Sequence, residues 1–274
     1  MKDISPLLLA AFFLFTHSLY SQTSYIDYES PFHPTISDDA MVVSQNHLSS
    51  EVGIEIIKKG GNAIDAAVAV GFSLAVTLPR AGNLGGGGFM LVYLKDKNEI
   101  IAIDYRGQAP SKLKTNEIFG VELPNEYGDA DRDIVRYGYK ASTIPGTVSG
   151  LLLAHSQFGK LPLSEVMKPA INQAINGINV TFDLEQAIAS APQLSWDDES
   201  RRIFFNEGKP LNQGSVMRRP DLAKTMDLIS KNGISGFYGG EVAKKIVESM
   251  SDNGGSITIS DLKKYKARFS QPIG

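Results

Sequence analysis

The chain of 274 residues contains no cysteine, which excludes disulfides, thiolate metal sites and a lipoprotein anchor. Its net charge is −3, so it lacks the basic field that a nucleic-acid partner would require. It has four histidines but no H-E-x-x-H metal helix, and no G-x-S-x-G elbow supports an α/β serine hydrolase. We therefore expect no metal ion or other cofactor. The 42% hydrophobic and 21% charged content is that of an ordinary globular protein.

Long hydrophobic runs are also lacking. The apolar segment Leu7–Phe15 is well below the roughly 20 residues that span a bilayer. Together with the polar turn that follows, it predicts a signal peptide at residues 1–21, cleaved after Ser21, and hence an exported protein, periplasmic or extracellular. An uncleaved anchor is the alternative interpretation. Residues 22–40 are polar and predict an extended lead-in to the main region, residues 41–274.

The stretch from Asn62 to Arg106 carries the strongest local signals. Asn62, with Asp65 three residues later, predicts a helix that begins with a capping box. The segment Ala66–Val76 has apolar side chains on every face, which is typical of a buried helix. The pattern after it predicts a buried strand at Phe89–Leu94, a turn at Lys95–Asn98 and a returning strand at Glu99–Tyr105.

Four adjacent glycines, Gly85 to Gly88, stand between this helix and the first strand. Such a run is costly in chain entropy, and it indicates either unusual backbone dihedrals or the close approach of another group. A tight connection between helix and strand is the simplest interpretation. A phosphate loop is not supported, because those loops run from strand to glycines to helix, and here the order is reversed.

Three segments follow one another along the chain: GGNAIDAA at Gly60–Ala67, AGNLGGGGF at Ala81–Phe89, and DYRGQAP at Asp104–Pro110. Together they resemble the gamma-glutamyltransferase (glutathione hydrolase) family. Three motifs in the same order, with matching separations, are far more specific than any one of them. The resemblance covers the chain from about Met41 to its C-terminus.

The resemblance implies an α+β fold, the four-layer αββα sandwich of an N-terminal-nucleophile hydrolase made as a proenzyme. Such enzymes cut themselves into a large and a small subunit, and a threonine freed at the small subunit's N-terminus is the nucleophile. The implied reaction transfers a γ-glutamyl group from glutathione or other γ-glutamyl amides to water or to acceptor amino acids.

Arg106 is similar to the family arginine that holds the α-carboxylate of the substrate. Without the flanking motifs, Arg106 would be interpreted as a surface arginine at a strand end. Many members carry a glutamate directly after this arginine, whereas this chain has Gly107, which leaves the detail of the pocket open.

We expect this chain to lack the nucleophile, since no threonine from Thr16 to Thr258 lies in the family's processing context. We therefore expect an incomplete, helix-rich half of the sandwich: a large-subunit region without catalytic residues of its own, inactive alone, whose partner is the small subunit. The sequence does not distinguish a truncated gene, an incomplete assembly and a split gene. The alternative functions are a cephalosporin-type acylase of the same fold and a non-catalytic large-subunit fragment.

The remaining segments predict one strand, one loop and several helices. Met41–Val43 is predicted to be a strand that leads into a helix ending at Lys59, with Gly60 and Gly61 as its C-cap pair. An exposed loop is predicted at Val121–Tyr139. Its aspartates at alternate positions, Asp129, Asp131 and Asp133, do not continue with the spacing of an EF-hand calcium site. Helices are predicted near residues 147–155, 163–176, 182–190, 220–231, 240–252 and 260–266, the last capped by Ser260.

Overall fold

The computed structural model describes residues 36–114 and 137–272. The predicted signal peptide, most of the lead-in and residues 121–136 of the predicted loop lie outside the described residues, so these features stay predictions. The chain divides into two units, Met1–Ala40 and Met41–Gly274. All that follows concerns the second unit.

This unit is built of helices and short strands. The helices are α1 (His47–Lys58), α2 (Ala63–Thr77), α3 (Thr147–Phe158), α4 (Leu163–Asn176), α5 (Phe182–Ala189), α6 (Asp198–Phe204), α7 (Pro220–Asn232), α8 (Ser235–Tyr238), α9 (Gly240–Asp252) and α10 (Ile259–Lys264). The strands are β1 (Phe89–Leu94), β2 (Glu99–Asp104), β3 (Ile178–Asn179), β4 (Phe205–Asn206), β5 (Lys209–Pro210), β6 (Val216–Met217) and β7 (Arg268–Ser270). This mixture of helix and strand agrees with the predicted α+β class.

The predicted helix ends around α1 and α2 are confirmed. The Asn62 side chain accepts the backbone N–H of Asp65, and the Asp65 carboxylate accepts the N–H of Asn62, which completes the capping box. Helix α1 ends in a Schellman motif, in which Gly60 has a φ of +90° and the Gly61 N–H donates to the carbonyl of Ile56.

Helix α2 lies at the centre of the unit and packs against α1, α3 and α4. Its core-facing side chains, Val68 and Phe72 among them, are fully buried, as the sequence predicted. Gly71 permits the close approach of α3, since a Cβ there would lie 2.9 Å from a methyl carbon of Leu151. The carboxylate of Asp65 is also buried, and it is stabilised by hydrogen bonds from the backbone N–H groups of Asn62 and Lys160.

Strands β1, β2 and β7 form an antiparallel sheet in the order β1–β2–β7. Its inner face packs on the helices and buries Val92 and Ile103. On the outer face Phe89, Leu91 and Tyr93 are 63%, 69% and 59% exposed. The bounds predicted for β1 are confirmed, but the prediction of a buried strand was wrong. Because successive side chains point to opposite faces, only one face of this strand contacts the helices.

Two further local predictions were wrong. Met41–Val43 is not a strand, because no strand in residues 36–114 and 137–272 pairs with it, although the side chain of Val42 packs against Gly53 in α1. The cap of α10 is Thr258 instead of Ser260: Thr258 forms a capping box with Asp261, and Ser260 already lies inside the helix.

Candidate substrate-carboxylate site

Arg106 lies two residues beyond the end of β2, at the border of the exposed face of the sheet. The path of its backbone is set by Asp104, whose Oδ1 accepts the Arg106 N–H at 3.0 Å. Its guanidinium carbon lies 5.8 Å from the centroid of the Phe89 ring, a cation–π contact. Phe89 stands directly opposite Asp104 in the β1–β2 register, so the sheet itself places the ring beneath the guanidinium.

The Arg106 guanidinium forms no ion pair with a carboxylate in the described part of the chain, residues 36–114 and 137–272. Arg268 differs in this respect, because its Nε and Nη2 both donate to Asp104 Oδ2, at 3.2 and 2.8 Å. Asp104 therefore holds the guanidinium of Arg268, whereas Arg106 presents its planar donors to solvent. A guanidinium of that kind can bind a ligand carboxylate through two parallel hydrogen bonds.

Asp104 binds both the Arg106 backbone and the Arg268 guanidinium. Arg268 is its direct partner across the β2–β7 pair, so the ion pair joins neighbouring strands. The hydrogen bond from the Arg106 backbone N–H, followed by those from Arg268, lowers the pKa of the Asp104 carboxyl below its ordinary value. Asp104 is therefore a carboxylate at neutral pH, with both oxygens engaged.

The glycine run packs directly beneath the segment that carries Arg106. A Cβ on Gly87 would lie 2.6 Å from both the Gly107 nitrogen and the Tyr105 carbonyl oxygen. The Gly86 carbonyl accepts the N–H groups of Gly146 and Thr147 at the start of α3. None of the four glycines has a positive φ. Of the two explanations that the sequence left open, close approach applies to Gly87 and Gly88, and left-handed dihedrals apply to none of the four.

The C-terminal part of the chain closes the site from the other side. The Tyr265 hydroxyl donates to the Arg106 carbonyl oxygen at 2.8 Å. The Ser111 N–H donates to Asp261 Oδ1, which ties the start of α10 to the segment after Arg106. No local sequence signal indicated these contacts, because each joins residues about 150 positions apart in the chain.

Comparison with known proteins settles the family. The gamma-glutamyltranspeptidase family model matches residues 49–274. The chain belongs to the gamma-glutamyltranspeptidase family. It is similar to the glutathione hydrolase proenzyme of Escherichia coli (strain K12), with 42% identity over 252 residues, which cover 91% of this chain and 42% of the relative. The chain thus spans less than half the length of that relative.

Solved structures of this family and of an acylase have the same fold. The gamma-glutamyltranspeptidase of Helicobacter pylori matches with a TM-score of 0.82 and 35% identity, over 88% of this chain and 68% of that one. A cephalosporin acylase from Bacillus halodurans matches with a TM-score of 0.74 and 27% identity, over 90% of this chain and 47% of that one. The predicted N-terminal-nucleophile hydrolase fold is therefore confirmed, and the resemblance drawn from the three motifs is correct.

The structure brings two of the three family motifs together, whereas the first motif contacts the C-terminal end of α3 through Asn62 and Asp65. The first motif begins α2, the glycine motif lies below Arg106, and the third motif carries Arg106 itself. Gly107, where many members carry a glutamate, has no room for a side chain, since a Cβ there would lie 2.2 Å from the Thr143 hydroxyl oxygen.

The histidine His47 is exposed at the start of α1. The capping contact at this helix end is made by Asn46 and not by His47.

Residues 36–114 and 137–272 contain neither a metal-binding cluster nor a helix suited to crossing a membrane. No group of three or more histidine, aspartate or glutamate side chains in these ranges could hold a metal ion. No helix in the same ranges has both the length and the hydropathy needed to cross a membrane.

Proposed function

We propose that this chain is the large-subunit region of a gamma-glutamyl acyltransferase that acts on glutathione and other γ-glutamyl amides. The observation that carries the proposal is Arg106, whose guanidinium has no carboxylate partner among the described residues while its backbone is held by Asp104. A planar fork at a fixed position suits a substrate that has an α-carboxylate at one end and a scissile amide at the other. The 42% identity to a glutathione hydrolase proenzyme supports the same substrate class.

The proposed reaction needs a nucleophile from outside this chain, the threonine of a small subunit. Its hydroxyl oxygen attacks the γ-carbonyl carbon, and its own α-amine takes the hydroxyl proton. The bond from carbon to the amide nitrogen then breaks, and the leaving amine takes the proton. Water or the amine of an acceptor amino acid attacks the acyl-enzyme in the second half-reaction. Arg106 contributes by holding the far end of the γ-glutamyl group, which fixes the position of the carbonyl.

The outer face of the sheet fits the small subunit as its partner. Phe89, Leu91, Tyr93 and Ile100 expose between 51% and 69% of their surfaces on one side of β1 and β2. Contiguous exposed apolar surface of this kind marks an interface. In an αββα sandwich a second sheet packs on such a face, about 10 Å away. Because Arg106 borders this face, a second sheet there would bring the nucleophile close to the bound substrate.

A cephalosporin-type acylase is the competing function, and the acylase structure with a TM-score of 0.74 is the observation in its favour. The two functions differ in the group at the far end of the acyl chain. A γ-glutamyl donor carries both an α-amine and an α-carboxylate, whereas a glutaryl donor carries a carboxylate without the amine.

The test compares a γ-glutamyl anilide with a glutaryl anilide, using the chain alone and the chain assembled with a small subunit. We expect no turnover by the chain alone, and preferential release from the γ-glutamyl anilide by the assembled enzyme. Turnover by the chain alone would show that it holds its own nucleophile. Preference for the glutaryl anilide would favour the acylase, and an assembled, processed but inactive complex would support the non-catalytic alternative.

A further inference from the structure

The backbone of Arg106 is held on both sides by side chains. On its N-terminal side, the N–H donates to Asp104 Oδ1 at 3.0 Å. On its C-terminal side, the carbonyl oxygen accepts the Tyr265 hydroxyl at 2.8 Å. Arg106 has left the sheet ladder at this point, so these two bonds replace the strand pairing that would otherwise fix its backbone.

Tyr265 is itself rigidly placed. It is only 5% exposed, and its ring stacks on that of Tyr238 with centroids 5.8 Å apart and planes 11° from parallel. The Tyr238 hydroxyl in turn donates to the Pro145 carbonyl at 2.8 Å. Burial raises the pKa of Tyr265 to about 12, so its hydroxyl keeps its proton and can donate at any physiological pH.

Asp104 is held by an ion pair. Its second carboxylate oxygen accepts two hydrogen bonds from Arg268, its cross-strand partner in β7. A charge-assisted pair with two bonds restricts the carboxylate to one orientation. The remaining oxygen, Oδ1, is the one that accepts the Arg106 N–H.

We infer that Tyr265 and Asp104 are positioning residues for the substrate-binding arginine, and that they keep the Arg106 fork at the one place where it can grip an α-carboxylate. This inference rests on the proposed function of Arg106. A binding group must be held to within about 0.5 Å by its supporting residues, and a strand end without support does not reach that precision. The C-terminal segment from Thr258 to Ser270 thus serves substrate recognition, although none of its side chains needs to touch the substrate.

A merely structural role for these residues makes a different prediction. If they only stabilised the fold, their loss would affect all substrates alike, and would add to the loss from removing Arg106. If they act through Arg106, mutating them should weaken only substrates that carry the α-carboxylate. The same mutations should have no further effect once Arg106 has been replaced by alanine. A double-mutant cycle separates the two roles.

The experiment uses the assembled two-subunit enzyme with two substrates: a γ-glutamyl anilide, and a glutaryl anilide whose free carboxylate is capped as a neutral amide. Tyr265→Phe and Asp104→Ala are each made in the wild-type and the Arg106→Ala background. Asp104→Asn is the conservative variant, because its amide oxygen can still accept the Arg106 N–H. Tyr139→Phe is the matched control, since it removes a remote tyrosine hydroxyl that bonds to Ser249.

We expect Tyr265→Phe and Asp104→Ala each to raise KM for the γ-glutamyl anilide about 3- to 10-fold, and to change kcat less. This factor corresponds to the free energy of one hydrogen bond. Asp104→Asn should recover part of the loss. Neither variant should affect the capped substrate or add to Arg106→Ala.

Equal losses on both substrates, or full additivity with Arg106→Ala, would overturn the inference. An effect of Tyr265→Phe no larger than that of Tyr139→Phe would overturn it for Tyr265. If Tyr265→Phe fails to fold, the Asp104 variants decide the matter. If Arg106→Ala itself fails to discriminate between the substrates, the proposed function is wrong, an outcome that is distinct from failure of this inference.

Discussion

The Tyr265 hydroxyl and the Arg106 carbonyl oxygen are 2.8 Å apart, although 159 positions separate the two residues in the chain. This contact joins the segment after α10 to the end of β2. Together with the Asp104–Arg268 ion pair, it makes the C-terminal segment a support for the candidate carboxylate site.

The glycine run offers a test with an internal control. Gly87→Ala would place a Cβ 2.6 Å from two backbone atoms, whereas the nearest atom to a Cβ on Gly85 is the Asn83 side-chain oxygen at 3.5 Å. We expect Gly87→Ala to destabilise the assembled enzyme by about 1–3 kcal/mol, because backbone atoms must move, and Gly85→Ala to change stability by less than about 0.5 kcal/mol. Thermal unfolding measures both. Equal effects would show that close approach does not explain the glycines.

The outer sheet face should be needed for assembly. Leu91→Asp places a charge in the middle of the exposed apolar face, and we expect it to abolish co-purification with the small subunit. Phe182→Asp is the matched control, since Phe182 is 61% exposed at the first position of α5, where an aspartate is favourable. Co-purification on tagged chain measures assembly. Retention of the small subunit by Leu91→Asp would place the interface elsewhere.

Tyr265 should make the enzyme sensitive to alkali. Burial raises its pKa in the folded state to about 12, above the ordinary value of about 10. A raised tyrosine pKa contributes stability that is complete below about pH 10 and is lost as the pH rises towards 12. We expect the melting temperature to fall less between about pH 9 and 11 in Tyr265→Phe than in wild type. The pKa of Tyr238 is also raised, so some fall should remain. An unchanged slope, equal to that of the control Tyr139→Phe, would contradict the prediction.

Asp104 should have the opposite pH dependence. The Arg106 N–H and the Arg268 guanidinium lower its pKa, and a lowered carboxyl pKa contributes stability above the ordinary value of about 4 that is lost at more acidic pH. We expect wild type to exceed Asp104→Asn in free energy of unfolding at about pH 6, and the difference to shrink towards pH 3. Urea unfolding at the two pH values measures it. A difference that does not depend on pH would rule out the charged pair as its source.

The sequence predicted well those features that neighbouring residues determine. The capping box at Asn62, the C-cap at Gly60, the bounds of β1 and the helix Leu163–Asn176 each depend on residues a few positions apart, and all are confirmed. The family motifs also led to Arg106, because they could be matched without knowledge of the fold.

The sequence predicted poorly those features that depend on distant partners. Met41–Val43 is apolar like a strand but has no strand beside it in the described residues. Phe89–Leu94 is apolar enough for burial on both sides, yet one side is exposed, because the described residues cover only one face of the sheet. The support of Arg106 by Tyr265 has no local signature, since a hydroxyl and a carbonyl can pair at any separation in sequence.

The central claim is that Arg106 holds the α-carboxylate of the substrate, and one comparison tests it most directly. It measures kcat/KM of the assembled enzyme for the γ-glutamyl anilide and for the capped glutaryl anilide, in wild type, Arg106→Ala and Arg106→Lys. Arg80→Ala is the control, since Arg80 pairs with Asp183 on the surface. We predict that Arg106→Ala costs about 2–5 kcal/mol of transition-state binding for the γ-glutamyl substrate and almost nothing for the capped one. Lysine should recover only part of the loss, because it lacks the planar pair of donors. Equal losses on the two substrates would contradict the account and make Arg106 a structural residue.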